Sequence, residues 1–182
     1  MTQHGMRVAG SMIEVRRWLR GAGSRGRAPS RRARTSKSER LVEVYEIQGR
    51  LTFGAMAWWD EFGAWGATSA VVSVPADAED EAVGSALIDM FDASDSLPVE
   101  TGSEGTEVLL DEAGVRSRSA LVRAARYLVV TRQADGSVQL VPSLRDGGRG
   151  GWLHQPEAEV VLQQPSTEEL GVAVRGAIER ST

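Results

Sequence analysis

Carboxylates are the side chains with the most chemical potential in this sequence, and they are concentrated in one stretch. Residues 51–115 contain fourteen Asp or Glu residues and no Lys or Arg. Like charges at this density repel one another when the chain compacts, and an oppositely charged partner would relieve that repulsion. The stretch therefore predicts a surface that binds a cationic partner. The alternative is a solvated face that keeps the protein soluble, which most charged runs are.

The predicted contact combines acidic and aromatic side chains. Trp58, Trp59, Phe62 and Trp65 surround two of the acids. Such rings can form a hydrophobic plug over the core, or one or two of them can be interface anchors, because Trp is enriched at the energetic centres of interfaces. The residues predicted to contact a partner are Trp58, Trp59, Asp60, Glu61, Asp77, Glu79, Asp80, Glu81, Asp89 and Asp92.

The sequence lacks the patterns of known catalytic, metal and cofactor sites. It has no cysteine, and its two histidines, His4 and His154, do not form the ligand cluster of a zinc site. No serine lies in a nucleophile-elbow context, so His154 is expected to be a surface or packing residue. Gly21, Gly23 and Gly26 match a dinucleotide-binding pattern but lack the strand and helix that it requires. We therefore expect no enzyme activity and no cofactor, and a small hydrolase is the least favoured function.

Charge is distributed unevenly along the chain. Residues 1–40 have eleven Lys or Arg and two acids, a net charge of +9, which leaves 10 basic and 23 acidic residues, a net charge of −13, in residues 41–182. Residues 21–37 are almost wholly Gly, Ala, Ser, Pro and Arg, a composition that cannot bury enough apolar surface to become ordered. The sequence thus predicts a disordered basic N-terminal arm. Residues 16–34 could make a weak, salt-dependent contact with nucleic acid or an anionic surface, or the arm could be a solvated extension.

Compartment and assembly are only partly constrained. No apolar run approaches the roughly 18 residues that span a bilayer, and the N-terminus lacks the apolar core of a secretory signal. Together with the absence of cysteine, these features favour a cytoplasmic protein with no membrane span. The oligomeric state is left open.

Two strand–helix units are predicted. In the first, a strand at 68–74 ends at Pro75, and Asp77 is placed to cap the next helix. The second has a strand at 160–162 and a capping box of Ser166 and Glu169. The apolar positions of the two helices share the spacing of one buried face: Val83, Ala86, Leu87, Met90 and Phe91 in the first, and Leu170, Ala173, Val174, Ala177 and Ile178 in the second.

A glycine occupies the same position in both predicted helices, Gly84 in the first and Gly171 in the second. Because an interior Gly costs about 1 kcal/mol relative to Ala, we expect another backbone to pass close to each.

The remaining strands are predicted to form hairpins. Residues 41–47 alternate in polarity and can pair with 51–56, while Asp135-Gly136 predicts a turn between strands at 127–131 and 138–141, the second ending at Pro142. We also expect a short strand at Glu107–Leu110, a helical turn at 119–125 and a flexible loop at Arg145–Gly151.

The predicted fold is α+β, with antiparallel β-hairpins and the two strand–helix units packed as a two-layer domain. Residues 41–182 form this single domain, with related halves at 41–94 and 119–182.

Short motifs between Ser119 and Ser181 resemble the immunity proteins of bacterial contact-dependent growth inhibition systems (CdiI type). The motifs are Tyr127-Leu128-Val129-Val130, Asp135-Gly136, Val138-Gln139-Leu140-Val141-Pro142, Gly151-Trp152, the strand at 160–162, and Ser166-Thr167-Glu168-Glu169-Leu170-Gly171 leading to Ala173 and Ala177. Residues 74–86 echo a segment in the first half of that family, whose pattern does not include the Arg-rich arm. The resemblance implies a cytoplasmic protein that binds and neutralises the toxin domain of its own system, with no catalytic residues. Because many such toxins resemble nucleases with basic grooves, an acidic partner is the expected counterpart.

Overall fold

The computed structural model describes residues 39–100, 103–147 and 150–182. The predicted basic extension at 1–40 lies outside these ranges except for its last two residues, and the predicted nucleic-acid contact at 16–34 lies wholly outside them. No helix in the described part of the chain is long and apolar enough to cross a membrane.

In the described part of the chain, seven antiparallel strands form one sheet and four α-helices accompany it. The strands are β1 (Arg40–Ile47), β2 (Arg50–Trp59), β3 (Ala64–Pro75), β4 (Arg126–Arg132), β5 (Val138–Asp146), β6 (Gly151–His154) and β7 (Val160–Leu162). The helices are α1 (Asp80–Ser96), α2 (Glu104–Glu112), α3 (Arg118–Ala124) and α4 (Thr167–Glu179). The sheet order is β3-β2-β1-β4-β5, and both β6 and β7 pair with β5. The predicted α+β class is therefore confirmed.

The main core lies between α1, α4 and the first face of the sheet. Val44 of β1 lies between Phe53 of β2 and Leu128 of β4, and all three side chains are fully buried. The helices cover them with apolar residues at the predicted spacing, including Val83 and Leu170. Full burial of each such side chain stabilises the fold by about 1.5–3 kcal/mol.

The two helix starts meet at the predicted glycines. A Cβ atom placed on Gly84 would lie 1.9 Å from the carbonyl oxygen of Thr167, and one on Gly171 would lie 1.9 Å from that of Asp80. Real Cβ atoms do not approach a carbonyl oxygen so closely, so hydrogen is the only side chain that fits. The predicted close backbone approach is confirmed at both positions, whereas the relation between the two halves of the chain stays a prediction.

Two shorter helices pack on the second face of the sheet. Leu109 of α2 and Leu121 of α3 belong to a smaller core cluster with Tyr45, Ile47 and Tyr127. Helix α2 contacts β3 and β2, and α3 contacts β6. This second face is therefore covered at its two sides.

The strand predicted at Glu107–Leu110 is wrong, because these residues lie within α2. Leu109 and Ala113 are four residues apart and both buried, which is helical spacing. Two acids in the first turn, Glu104 and Glu107, also favour a helix start through its dipole. Within the Val-Leu-Leu run that indicated a strand, Leu109 is buried and Leu110 packs against the smaller core cluster, whereas Val108 is exposed.

The predicted cap of α1 is also wrong. The N-cap residue is Glu79, and no side chain makes a capping hydrogen bond there. The backbone N–H of Ala78 donates to the carbonyl of Pro75 at 3.1 Å, and this turn keeps Asp77 outside the helix.

Strand β5 does not end at Pro142 as predicted but continues to Asp146. Its first three residues pair with β7 and its last four with β6. The Pro142 carbonyl accepts a hydrogen bond from Gln155 on that same side, so the nitrogen without a proton faces the gap between β7 and β6. The loop predicted at Arg145–Gly151 is correspondingly shorter, because Arg145 still belongs to β5.

Candidate partner-binding surfaces

The structure separates the predicted contact residues into groups along α1. Ser94, near the end of α1, donates to the carbonyl of Met56 at 2.5 Å. This places that end of α1 near the last residues of β2, Trp58 and Trp59, and the turn after them, which contains Asp60 and Glu61. At the other end, Ala76 donates to Gly49 at 2.8 Å, next to Asp77, Glu79, Asp80 and Glu81. A helix of 17 residues is about 25 Å long. A partner that touched both groups would have to lie along the whole of α1.

The predicted aromatic cluster forms two ring pairs at the β2–β3 turn. Trp58 and Trp65 are cross-strand neighbours with ring centroids 5.6 Å apart, and Trp59 and Phe62 are 4.2 Å apart. All four residues are half-buried, and none belongs to either core cluster. The rings therefore pack on one another at one end of the sheet and remain partly exposed.

Arginines already neutralise three of the carboxylates on α1. Asp80 accepts from Arg175 Nε at 2.6 Å and Asp92 from Arg132 at 3.1 Å, while Asp95 is paired with Arg40. Four exposed acids have no ion-pair partner among the described residues: Asp77, Glu79, Glu81 and Asp89. These four are the carboxylates of the α1 region that remain open to an external cation.

A further carboxylate, which the sequence did not indicate, lies on the second face of the sheet. Both oxygens of Glu43 accept hydrogen bonds, one from the Tyr45 hydroxyl and one from the Tyr127 hydroxyl, each at 2.7 Å. The tyrosine rings are stacked with centroids 5.0 Å apart, and Trp152 lies 4.6 Å from Tyr127. Burial, and then the charge of Glu43, raises the pKa of Tyr127. Its hydroxyl thus keeps its proton and continues to donate.

Glu43 is half-buried on a strip of the second face between the two helices. Its cross-strand neighbours are Gly54 and Val129, and the strip continues through Leu41 and Thr131. Leu109 of α2 closes the side nearest β2, where a Cβ atom on Gly54 would be 3.6 Å from its Cδ1 atom. We call Leu41, Glu43, Val129, Thr131 and Gln139, all half-buried, the open strip.

His154 makes a structural contact. Its Nδ1 lies 3.0 Å from the Oγ of Ser143, and Ser143 has no solvent exposure. A substrate cannot reach that hydroxyl without opening the sheet. The residues described here also contain no group of three His, Asp or Glu side chains positioned to hold a metal ion.

Comparison with known proteins reveals a shared fold. No protein-family model matches this chain, and no curated protein does. A protein of unknown function from Neisseria meningitidis has a TM-score of 0.62 and 17% identity, over 80% of this chain and 97% of that chain. A chain of the CdiA-CT/CdiI toxin and immunity complex from Yersinia pseudotuberculosis has a TM-score of 0.61 and 14% identity, over 79% of this chain and 98% of that chain. The fold of this protein therefore also occurs in a toxin and immunity complex.

Proposed function

We propose that this chain is a cytoplasmic immunity protein that binds and neutralises the toxin domain of its own contact-dependent growth inhibition system. The observation that carries the proposal is the shared fold with a chain of a toxin and immunity complex. The motifs between Ser119 and Ser181 support the same function independently. In this proposal the protein acts by binding and performs no reaction.

Charge supports a cationic partner. Residues 41–182 have a net charge of −13, and four exposed acids of the α1 region have no ion-pair partner among the described residues. A field of one sign accelerates the encounter with an oppositely charged protein and disfavours partners of like charge. A nuclease toxin with a basic substrate groove would meet this requirement.

The size of α1 is compatible with one continuous contact. A standard interface buries about 800 Å² on each partner, which corresponds to a patch about 30 Å across. That patch could extend from Asp77 to the turn at Trp58 and Trp59. The half-buried rings would then be anchors at one end and the free carboxylates would lie along the rest.

The test is protection of cells. The toxin domain encoded beside this gene is expressed in a susceptible host with and without the full chain, and growth and complex formation are measured. We expect growth to be restored and the two proteins to purify together. Loss of viability in spite of abundant, folded chain would refute the proposal.

A contact of residues 16–34 with nucleic acid is a separate prediction that rests on sequence alone. A gel-shift comparison of the full chain with a variant in which every arginine of residues 16–34 is changed to Gln would test it.

A further inference from the structure

We propose that the open strip binds an arginine side chain of the protein partner, with Glu43 as the acceptor of its guanidinium group. The inference rests on the proposed function, because the partner is the toxin protein. It adds a specific recognition site that is separate from the acids of α1.

Glu43 can accept more hydrogen bonds than the two that the tyrosines donate. An ionised carboxylate has about four acceptor positions, two on each oxygen. Tyr45 uses one position on Oε2 and Tyr127 uses one on Oε1. Among the described residues no other donor uses the second position on either oxygen, and a guanidinium fork pairs with a carboxylate through one N–H donor to each oxygen. A lysine ammonium group cannot match both oxygens in this way.

Glu43 is held in place before any partner arrives. Tyr45 and Tyr127 are 3% and 7% exposed, and the tilted ring contacts with Trp152 restrict their rings. A carboxylate with fixed hydrogen bonds loses little conformational freedom on binding. Glu81 and Asp89 on α1 have no such support among the described residues.

The surroundings of Glu43 strengthen an ion pair there. The open strip places the branched side chain of Val129 beside the carboxylate, and Val161 at the edge strand is 51% exposed. A partner that covered these groups would exclude water, which strengthens a charge–charge contact. Helix α2, which borders the strip, has four exposed acids and no base, and one of these acids, Glu112, is paired with Arg50 at 3.4 Å. On the other side of the strip, Arg118 of α3 is close enough to Tyr127 to lower its pKa slightly against the stronger effects of burial and Glu43. The apolar groups and the acids of α2 favour a cationic side chain on a partly apolar protein surface.

The experiment compares two variants of the full chain. Glu43→Gln removes the charge at almost constant shape, while the control, Glu46→Gln, changes the same strand at a residue on the first face that is paired with Arg126 at 2.8 Å. Affinity for the toxin domain encoded beside the gene is measured by calorimetry. We expect Glu43→Gln to weaken binding about 30-fold or more and Glu46→Gln to have little effect. Equal affinity of the two variants would overturn the inference while leaving the proposed function intact.

A second variant tests the inference if the Glu43→Gln protein does not fold. Thr131→Arg places a guanidinium group on the neighbouring strand within reach of Glu43 and leaves both tyrosine bonds in place. It should occupy the site internally and weaken toxin binding to a similar extent. Unchanged affinity in a folded Thr131→Arg protein would contradict the inference.

A small probe tests the site even if no toxin binds. Methylguanidinium is titrated into the full chain while the ring resonances of Tyr45 and Tyr127 are followed by NMR, with methylammonium as the comparison. We expect saturable shifts with methylguanidinium that are lost in Glu43→Gln and much smaller with methylammonium. If the chain shows this response but does not bind the toxin domain, the proposed function is refuted and the arginine site is not. The absence of a Glu43-dependent response would refute the site.

Discussion

Gly84 lies directly against the carbonyl of Thr167, at a distance that leaves no room for a β-carbon. Such an atom on Gly84 would be 1.9 Å from the carbonyl oxygen, and the reciprocal contact of Gly171 with Asp80 has the same geometry. Contact between the two backbones thus fixes the position of the first turn of α1 relative to that of α4.

Substitution of Gly84 by Ala should destabilise the protein. The methyl group must push the helix starts apart, and because it meets backbone atoms we expect an overpacking cost of about 3 kcal/mol. This exceeds the gain of about 1 kcal/mol in helix propensity. The free energy of unfolding from denaturant titration measures the difference. The matched control is Gly176→Ala in α4, where the new Cβ would lie 3.7 Å from the nearest atom, on Arg180. That variant should be more stable than the wild type, and a Gly84→Ala protein equal to it would contradict the backbone contact.

Charge reversal on α1 should slow association with the toxin. The double variant Glu81→Lys and Asp89→Lys changes two exposed acids that no base in residues 39–100, 103–147 and 150–182 pairs with. We expect an association rate lower by about tenfold at low salt. Asp80 is not suitable for this experiment, because its ion pair with Arg175 would be replaced by repulsion. Glu168→Lys with Glu179→Lys on α4 makes the same change in net charge. Association rates are measured by stopped-flow mixing at several salt concentrations. A slower rate for the α1 variant alone would indicate contact through the acids of α1, whereas equal rates for the two double variants would mean that only the net charge matters and would exclude the α1 surface.

The capping box of α4 should make stability depend on acid. The backbone N–H of Ser166, and then its hydroxyl, lowers the pKa of Glu169. A carboxylate whose pKa is lower in the folded state stabilises the protein above its unfolded pKa of about 4.3, and this stabilisation is lost as the pH falls through the folded pKa. In the Glu169→Gln protein, the melting temperature measured by thermal unfolding should therefore fall less steeply at acid pH than it does in the wild type.

Replacement of the capping serine gives a comparison for that experiment. Ser166→Ala should cost about 1 kcal/mol, as should Ser117→Ala at the start of α3, where the hydroxyl accepts from Ala120 at 3.2 Å. Of these two caps, that of α4 includes a carboxylate and that of α3 does not. Ser117→Ala should therefore leave the dependence of stability on acid pH unchanged.

Alkaline pH should unfold the protein as Tyr127 ionises. Its pKa is raised by burial and by Glu43, so the folded state retains the proton more strongly than the unfolded state does. The resulting stability is fully present below the unfolded pKa of about 10 and disappears as the pH rises through the folded pKa. The chain has two tyrosines, which simplifies the tyrosinate absorbance. Tyr127 should become ionised together with the loss of circular dichroism, and its ionisation in a folded protein would contradict the buried hydrogen bond.

Local patterns in the sequence were sufficient for most of the fold. The alternation at 41–47, the turn at Asp135-Gly136 and the capping box at Ser166 depend on residues close in sequence, and the structure has all three. The paired glycines even indicated a contact between distant elements, because an interior glycine has a cost that local structure does not explain.

The site residues depend on register, which the sequence does not contain. Glu43 and Tyr127 are 84 positions apart, and only the pairing of β1 with β4 brings them together. The density of acids in residues 51–115 likewise gave no information on which of them an arginine neutralises. The ion pairs of Asp80 and Asp92 come from Arg175 and Arg132, both outside that stretch.

The glycine contact between α1 and α4 limits how this protein can diversify. The fifth residue of each helix is a glycine that contacts the first residue of the other helix. Neither glycine can therefore be replaced without a shift of both helices. Glu81 and Asp89, on the outer side of α1, face no such limit. Under the proposed function, a change in the toxin could therefore be matched by replacing these outer charges one by one, while the helix pair beneath them stays the same.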